Sequence, residues 1–391
     1  MAQNRFIPFS RPWVDETEIE AVGEVIASKW ISTGPKTAEF EQRFAEYIGV
    51  KHALAVSSCT AALHLSLVAA EIGEGDEVIT TPYTFTATAE AIGYTGARPV
   101  FVDIHPLTLN IDVSKIEEKI TPRTKAIMPV HFAGLPCDID GILDICQEHE
   151  LVFIDDAAHA IPAEYNGHHI GSIGDLSAFS FYANKNLTTG EGGMITTNSD
   201  HFASIIKPMR LHGLDKDAWA RQSNRSIWYY EVASQGYKYN MTDIQAAMGL
   251  CQLMKLDKQH EIRRKYAQIY EAELSEVREI MTPQAEDLNP IGKQAISVHS
   301  WYLYIIQLQT SQLKINRDEF IDAMGDRNVE CSVHYIPLHL FAFYQKRYGY
   351  QEGDFPNAEF AFQRVVSLPM HPGLTEEDIY IVIDTIKKIL A

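Results

Sequence analysis

The chain has 391 residues, 46% of them apolar, with a formal net charge of -19 and a pI near 5.2. That length suggests about two domains around a large core. The acidic balance argues against nucleic acid and anionic membrane as partners, since both select a basic face.

The opening residues, MAQNRFIPFSRPWVDETEIEAV, contain no apolar leader segment, and no run approaches a membrane span. The five cysteines, Cys59, Cys137, Cys146, Cys251 and Cys331, are scattered and form no CxxC pair. The expectation is a soluble cytoplasmic protein with reduced thiols and no structural zinc. The adjacent His168 and His169 have no ligand spacing, so they read as surface and no metal is expected.

A first helix is expected after Pro12, with Asp15 and Glu18 as a cap-like pair and Ile19, Val22, Val25 and Ile26 recurring on one face. WISTGPKTAEF, with Gly34 and Pro35, breaks the pattern before a second amphipathic helix near 36–48. Seven short apolar runs follow: HALAVSS (52–58), EVITTP (77–82), RPVFVD (98–103), AIMPVH (126–131), LVFIDD (151–156), LSAFSF (176–181) and GMITT (193–197). Helix-like segments such as Ala61–Ile72 and Ile139–His149 separate the earlier ones. The alternation predicts an α/β fold with a mostly parallel sheet covered on both faces, whose ligands sit at the carboxyl ends of strands. Residues 242–277 read as one or two long helices, and the basic stretch Arg263, Arg264 and Lys265 as a solvated face. A domain change is placed there, giving a large domain at 1–250 and a smaller α+β domain at 251–391. In the latter, Asn316 and Glu319 resemble a helix cap, and a final helix spans about 375–390.

Three strand ends carry chemistry. At AVSSCTAALHLSL (55–67) a strand runs into a helix near Thr60; free N–H groups there suit a phosphate, although an ordinary Ser/Thr cap reads the same. At LVFIDDAAHA (151–160) two aspartates end a buried strand before His159, and a buried carboxylate needs a partner, either a protonated cofactor nitrogen or a cap. At SFYANKNLTTGEGGMITT (180–197), Lys185 follows a strand ending at Ser180, and a glycine cluster permits close backbone approach. A lysine so placed can be a nucleophile, or an ordinary turn residue. GEGG precedes a strand, and neither GxGxxG nor GxxxxGK[ST] occurs, which weighs against NAD, FAD and P-loop nucleotides. One anion site, one carboxylate and one lysine, in that chain order, are the needs of pyridoxal phosphate.

The motifs WISTGPKTAEFE, VSSCTAALHL, GDEVITTPYTFTATA, DDAAHA, FSFYANKNLTTGEGGMI and GYKYNMTDIQAAMG together resemble the DegT-type sugar-nucleotide aminotransferases, of fold-type I, over almost the whole chain. HGLDKDAW with GYKYNMTDI is similar to the subgroup that makes 4-amino-4-deoxy-arabinose on UDP. The resemblance implies a seven-stranded fold-type I enzyme with pyridoxal phosphate (PLP) held covalently by Lys185. It implies Asp156 at the pyridine nitrogen, His159 near the ring, and Phe85 stacked on it where many relatives carry Trp or Tyr. Thr60, Ala61 and Ser180 would bind the phosphate, and Asn240 would reach the phosphate of the other subunit in a homodimer. His334 and Tyr335 could touch the sugar nucleotide, and Thr33 and Gly34 could line the substrate entrance. A core histidine or a helix-breaking loop explains those four positions as well, and an apolar core explains Phe85. The implied reaction moves an amino group from an amino acid, glutamate, to a 4-keto nucleotide sugar. Two alternatives stand beside it: a dehydratase of the same family working with the aminated cofactor, in which a histidine replaces the lysine, and a non-catalytic regulatory or binding protein.

Overall fold

The computed structural model describes residues 5–214, 230–283 and 296–391. Helix α1 (Glu16–Ser28) opens with a complete capping box, in which Thr17 N donates to Asp15 and Asp15 N to the Glu18 carboxylate, both at 2.9 Å. Its buried line is not the expected apolar stripe. Val25 and Glu18 face inward, while Ile19 and Ile26 are 65% and 56% exposed. Glu18 accepts from Lys255 Nζ at 2.8 Å and Gln252 Nε2 at 2.7 Å, and these charged contacts set the rotation of the helix.

Helix α2 (Pro35–Ile48) starts on a proline, whose missing N–H is harmless at that position. Its mouth is capped from far along the chain: the buried Asp243 carboxylate accepts from Gly34 N at 2.7 Å, Thr37 N at 3.0 Å and the Thr37 hydroxyl at 2.7 Å. A Cβ on Gly34 would lie 2.1 Å from Trp30 Nε1, so only glycine fits. Phe40 and Phe44 then pack their rings against Phe181 and Phe179.

The seven expected strand runs all appear. They are β1 (His52–Val56), β2 (Glu77–Thr80), β3 (Arg98–Phe101), β4 (Thr124–Ile127), β5 (Val152–Asp156), β8 (Leu176–Ser180) and β9 (Gly193–Thr197), with the short β6 (Glu164–Tyr165) and β7 (His168–His169) between. They form one sheet in the order β1-β9-β8-β5-β4-β2-β3. Only β9 runs antiparallel to its neighbours. Helices α3 (Cys59–Ala69), α4 (Thr86–Tyr94), α5 (Ile139–His149) and α6 (Asp200–Met209) cover it. One core holds α2 and α5 against one face, and a second holds α3 and α6 against the other. This two-sided burial explains why the strands read as unbroken apolar runs.

Helix α7 (Asp243–Leu274) is a single 32-residue helix that passes through residue 250. We propose the two units expected from the sequence, with this helix shared between them. Arg263 lies on its buried line at 3% exposure and donates to Met370 O at 2.6 Å, so the solvated-face reading fails there. The spacing of Leu256, Arg263, Tyr270 and Leu274 on one helix face is the reason. The remaining elements are β10 (Ile280–Met281), β11 (Ser297–Val298), β12 (Tyr304–Leu308), α8 (Arg317–Gly325), α9 (Ala342–Tyr348), α10 (Pro356–Phe362), β13 (Val365–Leu368) and α11 (Glu376–Leu390). Asn316 and Glu319 form the expected capping box of α8. An antiparallel sheet, β10-β12-β13, packs on α7, α8 and α11, and Ile7 joins the same core. Strand β11 pairs with β6, tying the two halves together.

Asp243→Ala would leave the donors of α2 without an acceptor. It should cost about 2–3 kcal/mol, read as a lower urea midpoint.

Candidate active site

The carboxyl ends of β5 and β8 and the mouth of α3 meet at a cavity of about 530 Å³. Asp156, the last residue of β5, is 4% exposed. Burial raises its carboxyl pKa, against the opposing effect of two donors: the Thr88 hydroxyl at 2.7 Å and Ala158 N at 3.2 Å. Thr88 is itself 2.8 Å from the Thr84 hydroxyl. Because Thr88 gives its proton to Asp156, Thr84 must donate to Thr88, which orders the chain toward the carboxylate.

At the mouth of α3, Ser58 is the N-cap and accepts from Ala61 N at 3.1 Å. Cys59 and Thr60, in the first turn, have no intrahelical acceptor for their N–H groups. Thr60 and Ser180 line the cavity; Ala61 does not. The glycine cluster makes this mouth approachable. A Cβ on Gly193 would lie 2.6 Å from the Ser58 carbonyl, and one on Gly192 would lie 2.3 Å from Thr189 Oγ1. Strand β9 can therefore start directly against the helix mouth.

Lys185 sits in the turn after β8, its N–H donating to Tyr182 O at 3.0 Å. Its Nζ reaches the cavity and lies 4.2 Å from the centroid of the Tyr302 ring. His159 Nε2 is 3.1 Å from the Tyr335 hydroxyl, and its Nδ1 is buried without a partner among the described residues. Burial, then the charges of Lys185 and His334, hold His159 well below the usual histidine range. His334 is pushed down to about 4 by burial and by Lys185; its Nδ1 meets Ser367 Oγ at 2.8 Å and its ring stacks on Phe9. Phe85, at the N-cap of α4, is not core: it is 60% exposed at the rim, 6.2 Å from the Tyr335 ring.

Lys185, Asp156, His159, Thr60, Ser180, Phe85, His334 and Tyr335 thus line one cavity. Thr33, Gly34 and Asn240 lie outside it, in a joint between the start of α2 and the segment before α7. There Asn240 Nδ2 donates to Thr33 Oγ1 at 2.7 Å, Thr33 Oγ1 donates to Met241 O, and Lys238 Nζ donates to Asn240 Oδ1. Residues 215–219 of HGLDKDAW fall outside the described residues. Sequence reasoning missed Thr88 and Tyr302. Thr88 stands three residues after Phe85, one helical turn inward, which was a usable signal. Tyr302 precedes β12, with no local mark of a site.

The chain belongs to the DegT/DnrJ/EryC1/StrS aminotransferase family, whose profile matches residues 12–387. It is 48% identical over 389 residues to the spore coat polysaccharide biosynthesis protein SpsC of Bacillus subtilis, covering 99% of this chain and 98% of that one. Among solved structures, a Streptococcus pneumoniae protein in its PMP form superposes with TM-score 0.90 at 33% identity, covering 98% of both chains, and its PLP form gives 0.89 at 32%, again over 98% of both. Helicobacter pylori PseC, an aminotransferase involved in pseudoaminic acid biosynthesis, gives 0.89 at 31% over 99% of both chains. The protein is a fold-type I aminotransferase, and its cofactor is pyridoxal phosphate. The donor set fits that group: each Asp156 oxygen accepts one hydrogen bond and keeps a lone pair, the α3 mouth offers N–H groups, and the Lys185 amine faces the same space.

Two outcomes follow from the charges. Asp156 has a raised folded pKa, so the stability its protonated form supplies is lost as pH rises through that value. Apoprotein carrying Asp156→Asn should therefore melt at or above the parent, yet gain far less from added cofactor. His159, His334 and His299 stay neutral in the fold, His299 being pushed down to about 3 by burial. In the unfolded chain they take protons near about 6.5, so stability present above that value is lost as pH falls below it, and the urea midpoint should drop between about pH 7 and pH 5.

Proposed function

We propose that this aminotransferase moves an amino group from an amino acid, L-glutamate, to the 4-keto carbon of a nucleotide-linked sugar. The observation that carries the reading is the meeting of Lys185 and Asp156 in one cavity with the α3 mouth. When bound, pyridoxal phosphate supplies an electron sink and carries nitrogen between the two half-reactions. Lys185 would hold it covalently and, once released, would take a proton at Nζ from the donor's α-carbon and return it to carbon. Asp156 would accept the N–H of the ring. The N–H groups of Cys59 and Thr60, with the Ser180 hydroxyl, would hold the phosphate, whereas the Ala61 N–H is taken up by the Ser58 cap. His159, being neutral, packs without adding charge, and Phe85 covers the exposed side. His334 and Tyr335 form the wall toward the sugar nucleotide.

Asn240 lies outside its own cavity, which favours its reaching a partner's phosphate in a homodimer; Thr33 and Gly34 would then shape the entrance through the same joint. Five free cysteines, four of them buried, favour a cytoplasmic setting. No helix among the described residues is long and apolar enough to cross a membrane, and the net charge of -19 disfavours nucleic acid. The similarity to SpsC, a spore coat polysaccharide biosynthesis protein, favours a product used in cell-envelope polysaccharide. The presence of Lys185 disfavours the dehydratase alternative, and a complete cavity disfavours the regulatory one.

Purified protein with cofactor should show a near-visible absorption band that glutamate bleaches and a 4-keto nucleotide sugar restores. Lys185→Ala should lack the band and lose about 10²–10⁴-fold or more in turnover. Loss of a sugar hydroxyl without amino transfer would point to dehydration instead, and a protein that never binds cofactor would point to a regulator.

A further inference from the structure

Among the described residues, Lys185 Nζ has no hydrogen bond and no ion pair; the group it touches is the face of Tyr302, at 4.2 Å from the centroid. That ring is firmly held. Its hydroxyl donates to Asn184 Oδ1 at 3.1 Å, and its face lies 4.3 Å from the His159 ring. The backbone beside it is pinned as well, with Leu303 N donating to Ala133 O at 3.2 Å and Trp301 O accepting from Arg263 Nη1 at 3.3 Å. Tyr302 is 5% exposed, so the ring meets the amine in a largely dry place.

The chemistry of a base lysine makes this contact consequential. The amine is neutral when it removes a proton and an ammonium immediately afterwards. A carboxylate in contact would stabilise that ammonium but would also hold its protons. An aromatic face attracts the cation and accepts no proton, so all three N–H bonds stay available. We propose that Tyr302 is a catalytic residue of the proton-transfer steps, its ring stabilising the Lys185 ammonium as it forms. This rests on the role given to Lys185 above. In the step concerned, the C–H bond at the donor's α-carbon breaks, its electron pair passes into the conjugated system, and the proton bonds to Nζ. The ammonium then gives that proton to the next carbon and returns to the neutral amine.

The test compares Tyr302→Leu and Tyr302→Phe with the parent in the cofactor-loaded, full-length protein. Single-turnover bleaching by glutamate should slow about 2- to 30-fold in the leucine variant and stay within about twofold in the phenylalanine variant, which keeps the ring face. The primary isotope effect with α-deuterated glutamate should grow in the leucine variant alone; a merely structural role would not move it. A second readout needs no cofactor. In apoprotein labelled with [ε-13C]lysine, the Lys185 methylene protons, identified by their absence in Lys185→Ala, should be shifted upfield by the ring. The shift should persist in Tyr302→Phe and vanish in Tyr302→Leu. An unshifted Lys185 signal in the parent, or a leucine variant with parental rate and isotope effect, overturns the proposal. A parent that shows the ring shift but does not bleach with any amino donor overturns the function proposed above, and leaves the contact itself standing.

Discussion

A carboxylate buried at the end of a central strand is the constraint around which this site is organised. Asp156 is 4% exposed at the carboxyl end of β5, where a lone charge is expensive. The fold answers with two donors and leaves the remaining lone pairs toward the cavity. Its neighbour Asp155 faces the opposite way, because successive strand residues alternate. There it accepts from Ser177 Oγ at 2.8 Å and pairs with His131 Nε2 at 3.0 Å. Each aspartate thus has two hydrogen-bond partners, one per carboxylate oxygen, but of the two it is Asp156 that lines the cavity. The role proposed for Asp156, accepting the N–H of the cofactor ring, rests on that orientation toward the cavity.

The single antiparallel strand serves the same centre. Strand β9 returns beside β8 and begins against the mouth of α3, which brings the lysine turn and that helix mouth together. Glycine at 193 is what lets two backbones come that close. The Asp243 cap performs a parallel task at the edge of the domain, where it locks α2 to the start of α7 and so fixes the joint that holds Thr33 and Asn240.

The C-terminal half contributes the opposite wall. Tyr302, His334 and Tyr335 come from segments far from the sheet in sequence and line the cavity with rings, the Tyr302 face lying against the lysine. Two neutral histidines and several aromatic faces leave Lys185 as the cationic side chain lining this cavity among the described residues. That suits the proton-carrying role proposed for Lys185, in which its charge would appear and disappear during turnover.

Much of this was legible locally. Apolar runs of strand length, helix caps such as Asp15–Glu18 and Asn316–Glu319, and the order of anion turn, acidic strand end and lysine are all short-range patterns. Short-range sterics and hydrogen bonding determine them, so the amino-acid sequence alone set the strands, most helix starts, and the placement of Asp156 and Ser180 at strand ends with Thr60 and Lys185 in the segments that follow strands. The failures share a cause. Ile19 and Ile26 repeat with helical spacing, but which side of α1 is buried depends on Lys255 and Gln252, more than 200 residues away. Arg263 reads as a surface charge until carbonyls at 301 and 370 arrive to meet it. Thr88 and Tyr302 acquire their roles only when β5, α4 and the approach to β12 come together. Periodicity reports which residues share a face; which group that face meets is settled by tertiary packing, because burial, hydrogen-bond partners and ring contacts are properties of pairs distant in sequence.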